Sequence, residues 1–227
     1  MPIRLGPPGA EEEFVFSTLS CVYWPRLRAV MVADLHLGHG AVFQTIGVPI
    51  PGLQLAGELA RLDACVTRFA PESIFVLGDL LHSGAGLTGE VVERVGAWRA
   101  AFQGSVRVIE GNHDRAIARV KDAWGLELLG PRHELGGFVL KHFAEPEADR
   151  FLWCGHEHPA THLGGRADGV RVPCFAVACN MVVIPAFSRL AAGSSRGIPD
   201  GAELYALTPE RVLKVPGRAA ASAGRVR

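Results

Sequence analysis

The chain has 227 residues, of which 23 are basic and 23 acidic, so its formal net charge is zero. No global positive field draws it to nucleic acid, and any contact with phosphates has to come from a local patch or a bound metal. Five cysteines without CxxC spacing argue against a disulfide framework or a zinc knuckle, and no apolar run approaches the roughly 20 residues that span a bilayer.

The length supports a full hydrophobic core, and the composition is that of a folded globular chain. The opening "MPIRLGPPGAEEEF" has no apolar leader segment, so a cytoplasmic protein with reduced thiols and no membrane partner is expected. Only Lys121, Lys141 and Lys214 are lysines; the surplus of arginine fits either bidentate phosphate binding or a GC-rich codon bias. Residues 14–34 read as two strands, "FVFSTLSCVYW" and "RLRAVMVAD", joined across a turn at Pro25. Leu55, Leu59, Leu62, Val66 and Phe69 recur at helical spacing. The strand "SIFVLGD" follows, then a second helical pattern at Val91, Val95, Trp98 and Phe102, then the strand "SVRVIEGNHD". Strand, helix, strand, helix, strand is the pattern of an α/β layer with parallel strands. From residue 137 onward the pattern changes to short strands, "GFVLKH", "RFLWCGHEH", "VRVPCFAV", "NMVVIPAF", "AELYAL" and "ERVLKV". We expect an α/β fold of two sheets packed face to face and flanked by helices, a single domain over 1–216, with 217–227 as a flexible tail.

What ends these strands carries the chemistry. The apolar run of "VMVADLHLGH" stops at Asp34 and His36, the next strand at Asp79 and His82, the third at Asn112, His113 and Asp114, and later ones at His142 and at His156 and His158. The carboxyl ends of parallel strands converge on one crevice, so sequence-distant segments deliver these groups to one place. Nitrogen and oxygen ligands without thiolates suit manganese, iron or zinc in an open site, not a closed structural zinc. Seven such ligands exceed one ion's needs, whereas two ions about 3.5 to 4 Å apart use them all if one carboxylate bridges. Asp79 is the candidate bridge, because the glycine before it lets the backbone approach closely. Each motif alone is an ordinary turn, and only their joint order argues for metal.

The order D-x-H, G-D, G-N-H-D, a lone His and G-H-x-H resembles the signature of the calcineurin-like metallophosphoesterase superfamily. Within it, "VADLHLGH", "LGDLLHS", "GNHDR", "GHEHPA", "PCFAV" and "IPAFS" are similar to the bacterial ligase-associated DNA damage response endonuclease group, PdeM. The resemblance implies a four-layer α/β/β/α sandwich of two mixed sheets and a phosphodiesterase using two divalent metal ions, manganese first, with iron or zinc as alternatives. It implies Asp34, His36, Asp79 and His158 for the first metal, and Asp79, Asn112, His142 and His156 for the second. A metal-bridging hydroxide would attack phosphorus, and His113, free of both ions, would protonate the leaving oxygen. The implied substrate is DNA, as single strands, ends or flaps, and the implied partners are an ATP-dependent DNA ligase and a helicase.

Several positions keep two readings. His142 precedes Phe143 where relatives carry Glu-Pro or Gly, so His133 in "PRHELGG" rivals it as the lone ligand. His39 stands where relatives commonly carry Lys, which makes a cationic substrate contact weaker or pH-dependent. His82 either contacts substrate or hydrogen-bonds a metal ligand. Arg115 either meets a phosphate or is solvated, and Asp114 either caps a helix from Arg115, the favoured reading, or orients an imidazole. "PAFS" replaces a glycine and alters the cleft wall. The same metal pair would also serve a metallophosphatase or pyrophosphohydrolase acting on a nucleotide or other small ester, and a catalytically inactive scaffold would keep the fold alone.

Overall fold

The computed structural model describes residues 1–45, 47, 53–164 and 169–216; the tail expected at 217–227 lies outside them. The first sheet takes its strands in chain order: β1 (Pro2–Leu5), β2 (Glu12–Ser17), β3 (Cys21–Trp24), β4 (Ala29–Val32), β5 (Ser73–Leu77), β6 (Ser105–Ile109) and β7 (Leu126–Leu128). β1 to β4 pair antiparallel and β4 to β7 parallel. The parallel half exists because helices carry the chain back between strands: α1 (His39–Thr45) and α2 (Leu53–Phe69) link β4 to β5, and α3 (Gly89–Ala101) links β5 to β6. All residues of β4 and β5 are buried, as strands covered on both faces require.

The second sheet is also mixed. Its order is β15 (Val212–Val215), β14 (Glu203–Leu207), β12 (Val170–Ala178), β13 (Met181–Val183), β10 (Phe151–Cys154), β9 (Phe138–Lys141) and β8 (Arg132–Leu135), and β11 (Ala160–Leu163) pairs with β12 off this path. β9, β10 and β13 run parallel. Aromatic side chains fill the space between the sheets: Phe16 stacks on Phe175 with ring centroids 4.1 Å apart, and Phe14 lies 4.6 Å from Trp153. On the outer face of the first sheet, Leu59, Leu62, Val91 and Val95 of α2 and α3 cover Val30, Val32, Ile74 and Val76. On the outer face of the second, Ala144, Ile198 and Ala202 from loop segments cover Val139, Leu152 and Cys174. The fold is the expected α/β arrangement of two mixed sheets with helices. Among the described residues no helix is long and apolar enough to cross a membrane.

Local details differ from the sequence pattern. "FVFSTLSCVYW" is a hairpin and not one strand, because Ser20 takes a left-handed φ of 58° and Ser17 Oγ accepts the Leu19 N–H. "RLRAVMVAD" opens with a 3-10 turn over Pro25–Leu27 that closes on left-handed Arg28, so only Ala29–Val32 is strand. The helix expected from Arg115 is a 3-10 turn, Asp114–Arg119. Strands β1, β7, β8 and β11 and helix α1 are too short for a periodic signal.

Phe175→Ala should lower unfolding free energy in urea titrations by about 3–5 kcal/mol, the usual cost of an aromatic cavity. Val170→Ala, at a residue 63% exposed, should stay within about 0.5 kcal/mol.

Candidate metal centre

Asp34 lies just beyond β4, Asp79 beyond β5, Asn112 beyond β6, His142 directly after β9, and His156 and His158 after β10. The strand ends converge. Ligand atoms of Asp34, His36 and His158 lie within 4.8 Å of one another, as do those of Asp79, His142 and His156. Asp79 Oδ2 faces both trios, 3.2 Å from His142 Nε2 and 4.0 Å from His36 Nε2. Asn112 Oδ1 and His156 Nδ1 are each 3.1 Å from His142 Nε2, and His158 Nε2 is 3.3 Å from Asp34 Oδ1.

Backbone conformation aims these groups. Asp34, His36, Asp79, His156 and His158 all have φ between 46° and 68°. Left-handed backbone costs a side-chain-bearing residue about 1–2 kcal/mol. Of the nine non-glycine residues with positive φ among the described residues, these make up five. Hydrogen bonds between loops hold the strain: Asp34 N–H donates to Gly78 O (3.1 Å), His36 N–H to Asp79 O (2.9 Å), and His156 N–H to Asp34 Oδ2 (2.9 Å). Gly78 is needed for space as well as for its φ of +81°, since a Cβ there would lie 2.1 Å from His142 Nδ1.

The electrostatics ask for cations. Asp34 and Asp79 are 0% and 2% exposed, yet among the described residues their only ion-pair partners are histidines. Asp34 Oδ1 and His36 Nδ1 are buried without a hydrogen-bond partner, a costly arrangement unless something else satisfies them. Burial pushes His36 down to about 4, so at neutral pH it is an uncharged donor of a lone pair. Burial, the largest single influence, also opposes the charging of His142 and His158, but the facing carboxylates of Asp79 and Asp34 together outweigh it and raise both. His142 Nδ1 lies 3.0 Å from Leu77 O, so Nδ1 carries a proton and Nε2 is left for the site, the orientation a metal-bound imidazole requires. A nitrogen and oxygen donor set, orphaned buried atoms and uncompensated carboxylates together fit divalent cations.

The remaining candidates form a second group of imidazoles. The His113 backbone N–H donates to Asp79 Oδ1 (2.9 Å), and its ring Nδ1 is 2.7 Å from His82 O. His82 lies under His39, rings 3.7 Å apart and nearly parallel. Burial and then the neighbouring His39 hold His82 at about 4, and burial and then His113 lower His39. Arg115 is exposed and shares a cleft with His82, Asn112 and His113. Of the rivals for the lone ligand, His142 reaches the cluster, while His133 sits within β8 opposite Leu140.

Two corrections follow from the geometry. Asp114 caps no helix: its buried carboxylate accepts the N–H groups of Leu81 and Gly111, both at 2.9 Å, and so ties together the loops after β5 and β6. Burial raises it to about 6. Ser188 of "PAFS" does more than shape a wall. Its N–H donates to Asp34 O (3.0 Å) and its hydroxyl to Glu58 Oε1 (2.8 Å), which makes buried Glu58 a support for Asp34 that the sequence reading missed. A lone Glu on the apolar side of a helical pattern is the signal that was available.

No protein-family model and no curated protein matches the chain. Among solved structures, the chain is similar to Pseudomonas putida nuclease MPE, at 26% identity and a TM-score of 0.79, over 95% of this chain and 100% of that one. The protein of unknown function AQ665 from Aquifex aeolicus matches at 17% identity and a TM-score of 0.39, over 57% of this chain and 78% of that one. The phosphoesterase Yfce from E. coli matches at 15% and 0.44, over 82% and 97%. The fold is that of a metallophosphoesterase-like nuclease.

Manganese at 100 times its Kd should stabilise the wild type by about 2.7 kcal/mol, read as a rise in Tm that Asp34→Asn loses. Gly78→Ala should weaken manganese binding at least tenfold by calorimetry, because the added methyl displaces His142.

Proposed function

We propose that the protein is a two-metal phosphodiesterase that hydrolyses DNA phosphodiester bonds, an endonuclease acting in DNA repair. The observation that carries this reading is the meeting of two Asp/His trios at the Asp79 carboxylate, and the similarity to a nuclease over nearly the whole chain supports it. In this reading Asp34, His36 and His158 hold one cation, His142, His156 and Asn112 hold the other, and Asp79 serves both. Such a pair, manganese in the first instance, would neutralise phosphoryl oxygens and lower the pKa of water.

The chain's own residues do the rest. Asp79 Oδ1 is occupied by the His113 N–H, so Oδ2 is the oxygen that faces the imidazoles. His113 keeps its Nδ1–H on the His82 carbonyl, which leaves Nε2 to deliver a proton to the departing oxygen and fixes the ring while it does so. His82 and Arg115 border the same cleft, where the guanidinium can take a non-bridging phosphate oxygen in two parallel hydrogen bonds. His39 acts on substrate through its stack on His82. The ligase and helicase partners follow from the motif resemblance and belong to this reading.

Hydrolysis assays test it. With manganese, bis-p-nitrophenyl phosphate should be turned over and p-nitrophenyl phosphate should not; the opposite preference would replace DNA by a small phosphate monoester. Plasmid nicking should disappear in Asp79→Asn. In His113→Ala it should fall about 10²–10⁴-fold, the range for loss of a general acid, with manganese affinity retained.

A further inference from the structure

On the side of the centre marked by His158, a cleft of about 1190 Å³, open mouth included, runs between α2, β12 and the segment after β13. Three arginines line it, Arg61 from α2, Arg171 from β12 and Arg189 from the segment after β13, and none of its lining residues is acidic. In a chain of zero net charge this is a local concentration of one sign, the arrangement that focuses field on an anionic ligand. None of the three has a carboxylate within ion-pair distance among the described residues, unlike Arg26, Arg28, Arg94, Arg107, Arg132 and Arg150 and like the other exposed or half-buried arginines.

Arg61 is the most telling. Its guanidinium lies over the Phe187 ring, 4.1 Å from the centroid, which fixes the plane of the fork. Its Nε and Nη2 are buried without a hydrogen-bond partner among the described residues. Burial, and then the charge of Arg189, lower it to about 10, with buried Glu58 pulling the other way, the balance of a desolvated cation that faces a second cation. Arg171 and Arg189 are exposed, and Arg171 Nη1 donates to Gly193 O, which leaves the other end of its fork unengaged. Around these cations the walls are small or apolar, including Pro159, Ala160 and Pro173, surfaces on which sugars can lie.

We infer that this cleft binds the phosphates of a polynucleotide strand next to the scissile one, with Arg61, Arg171 and Arg189 as its phosphate contacts and His158 marking where the strand enters the metal centre. This rests on the phosphodiesterase reading above and adds to it the side on which the strand lies. A single phosphate would leave most of the cleft empty. Cations supplied by three separate elements suit a ligand with repeating charge.

The test is binding of a fluorescein-labelled single-stranded oligonucleotide by anisotropy, in EDTA so that no cleavage intervenes. Arg171→Ala/Arg189→Ala should bind at least tenfold more weakly than wild type. Its plot of log affinity against log salt should be shallower by about 1.4, since each phosphate contact on a single strand contributes about 0.7. Equal affinity and equal slope in wild type and variant would overturn the proposal. So would an affinity that does not grow with oligonucleotide length, or inorganic pyrophosphate competing as well as the strand, since either marks a pocket for an isolated phosphate. Should the double variant melt early, Arg189→Glu, at an exposed residue, repeats the comparison and should show at least the same loss. Turnover of bis-p-nitrophenyl phosphate by the wild type is measured in parallel. If that is absent while the strand still binds through the arginines, the enzymatic reading fails and the cleft assignment stands.

Discussion

Two carboxylates taken out of water without a lysine or arginine to meet them govern this structure. Asp34 and Asp79 are as buried as core valines, and their neighbours are imidazoles. A buried ion without compensation costs several kcal/mol even after relaxation, so a fold that retains two of them side by side has been shaped for charge arriving from elsewhere. The rest of the site can be derived from that requirement. Imidazoles supply lone pairs rather than competing positive charge, the outer nitrogen of His142 is tied to the Leu77 carbonyl, and the loops that carry them are bonded to each other.

The strained backbone is the second face of the same constraint. A strand that simply ends would point its last side chains alternately to either face of the sheet. Turning Asp34, His36 and Asp79 into one crevice needs left-handed steps, and these persist only where surrounding bonds over-determine them. The chain supplies such bonds from a distance. Ser188 N–H holds the Asp34 carbonyl, Asp114 holds the loops after β5 and β6, and Glu58 holds Ser188 from α2.

Much of this was readable from residues alone, for a physical reason. An apolar run that stops on Asp, Asn or His is ordinary by itself, but the recurrence of such ends in this order along one chain pointed to a common destination. The parallel half of the first sheet followed from helical periods at Leu55 to Phe69 and Val91 to Phe102. Signals of two periods or fewer were lost, which is why α1 and strands β1, β7, β8 and β11 did not show, and the Ser20 turn has no period at all. Interactions between residues distant in sequence also left no trace: Ser188 with Glu58, the stack of His39 on His82, and the gathering of Arg61, Arg171 and Arg189 exist only once the sheets are stacked. Asp114 was misread because its position before a helical turn suggests a cap, whereas tertiary hydrogen bonding took the carboxylate instead.

The aromatic layer between the sheets has a consequence beyond holding them together. Asp34, His36, Asp79 and Asn112 ride on one sheet, and His142, His156 and His158 on the other, so each trio of donors draws on both sides of the seam that Phe14, Phe16, Trp153 and Phe175 fill. The thickness of that filling therefore sets how far apart the donors of each trio stand, and would gauge the geometry around any cation they hold. Repacking it with smaller or bulkier rings would retune which ion radius the crevice prefers, with no change to any residue that touches the ion.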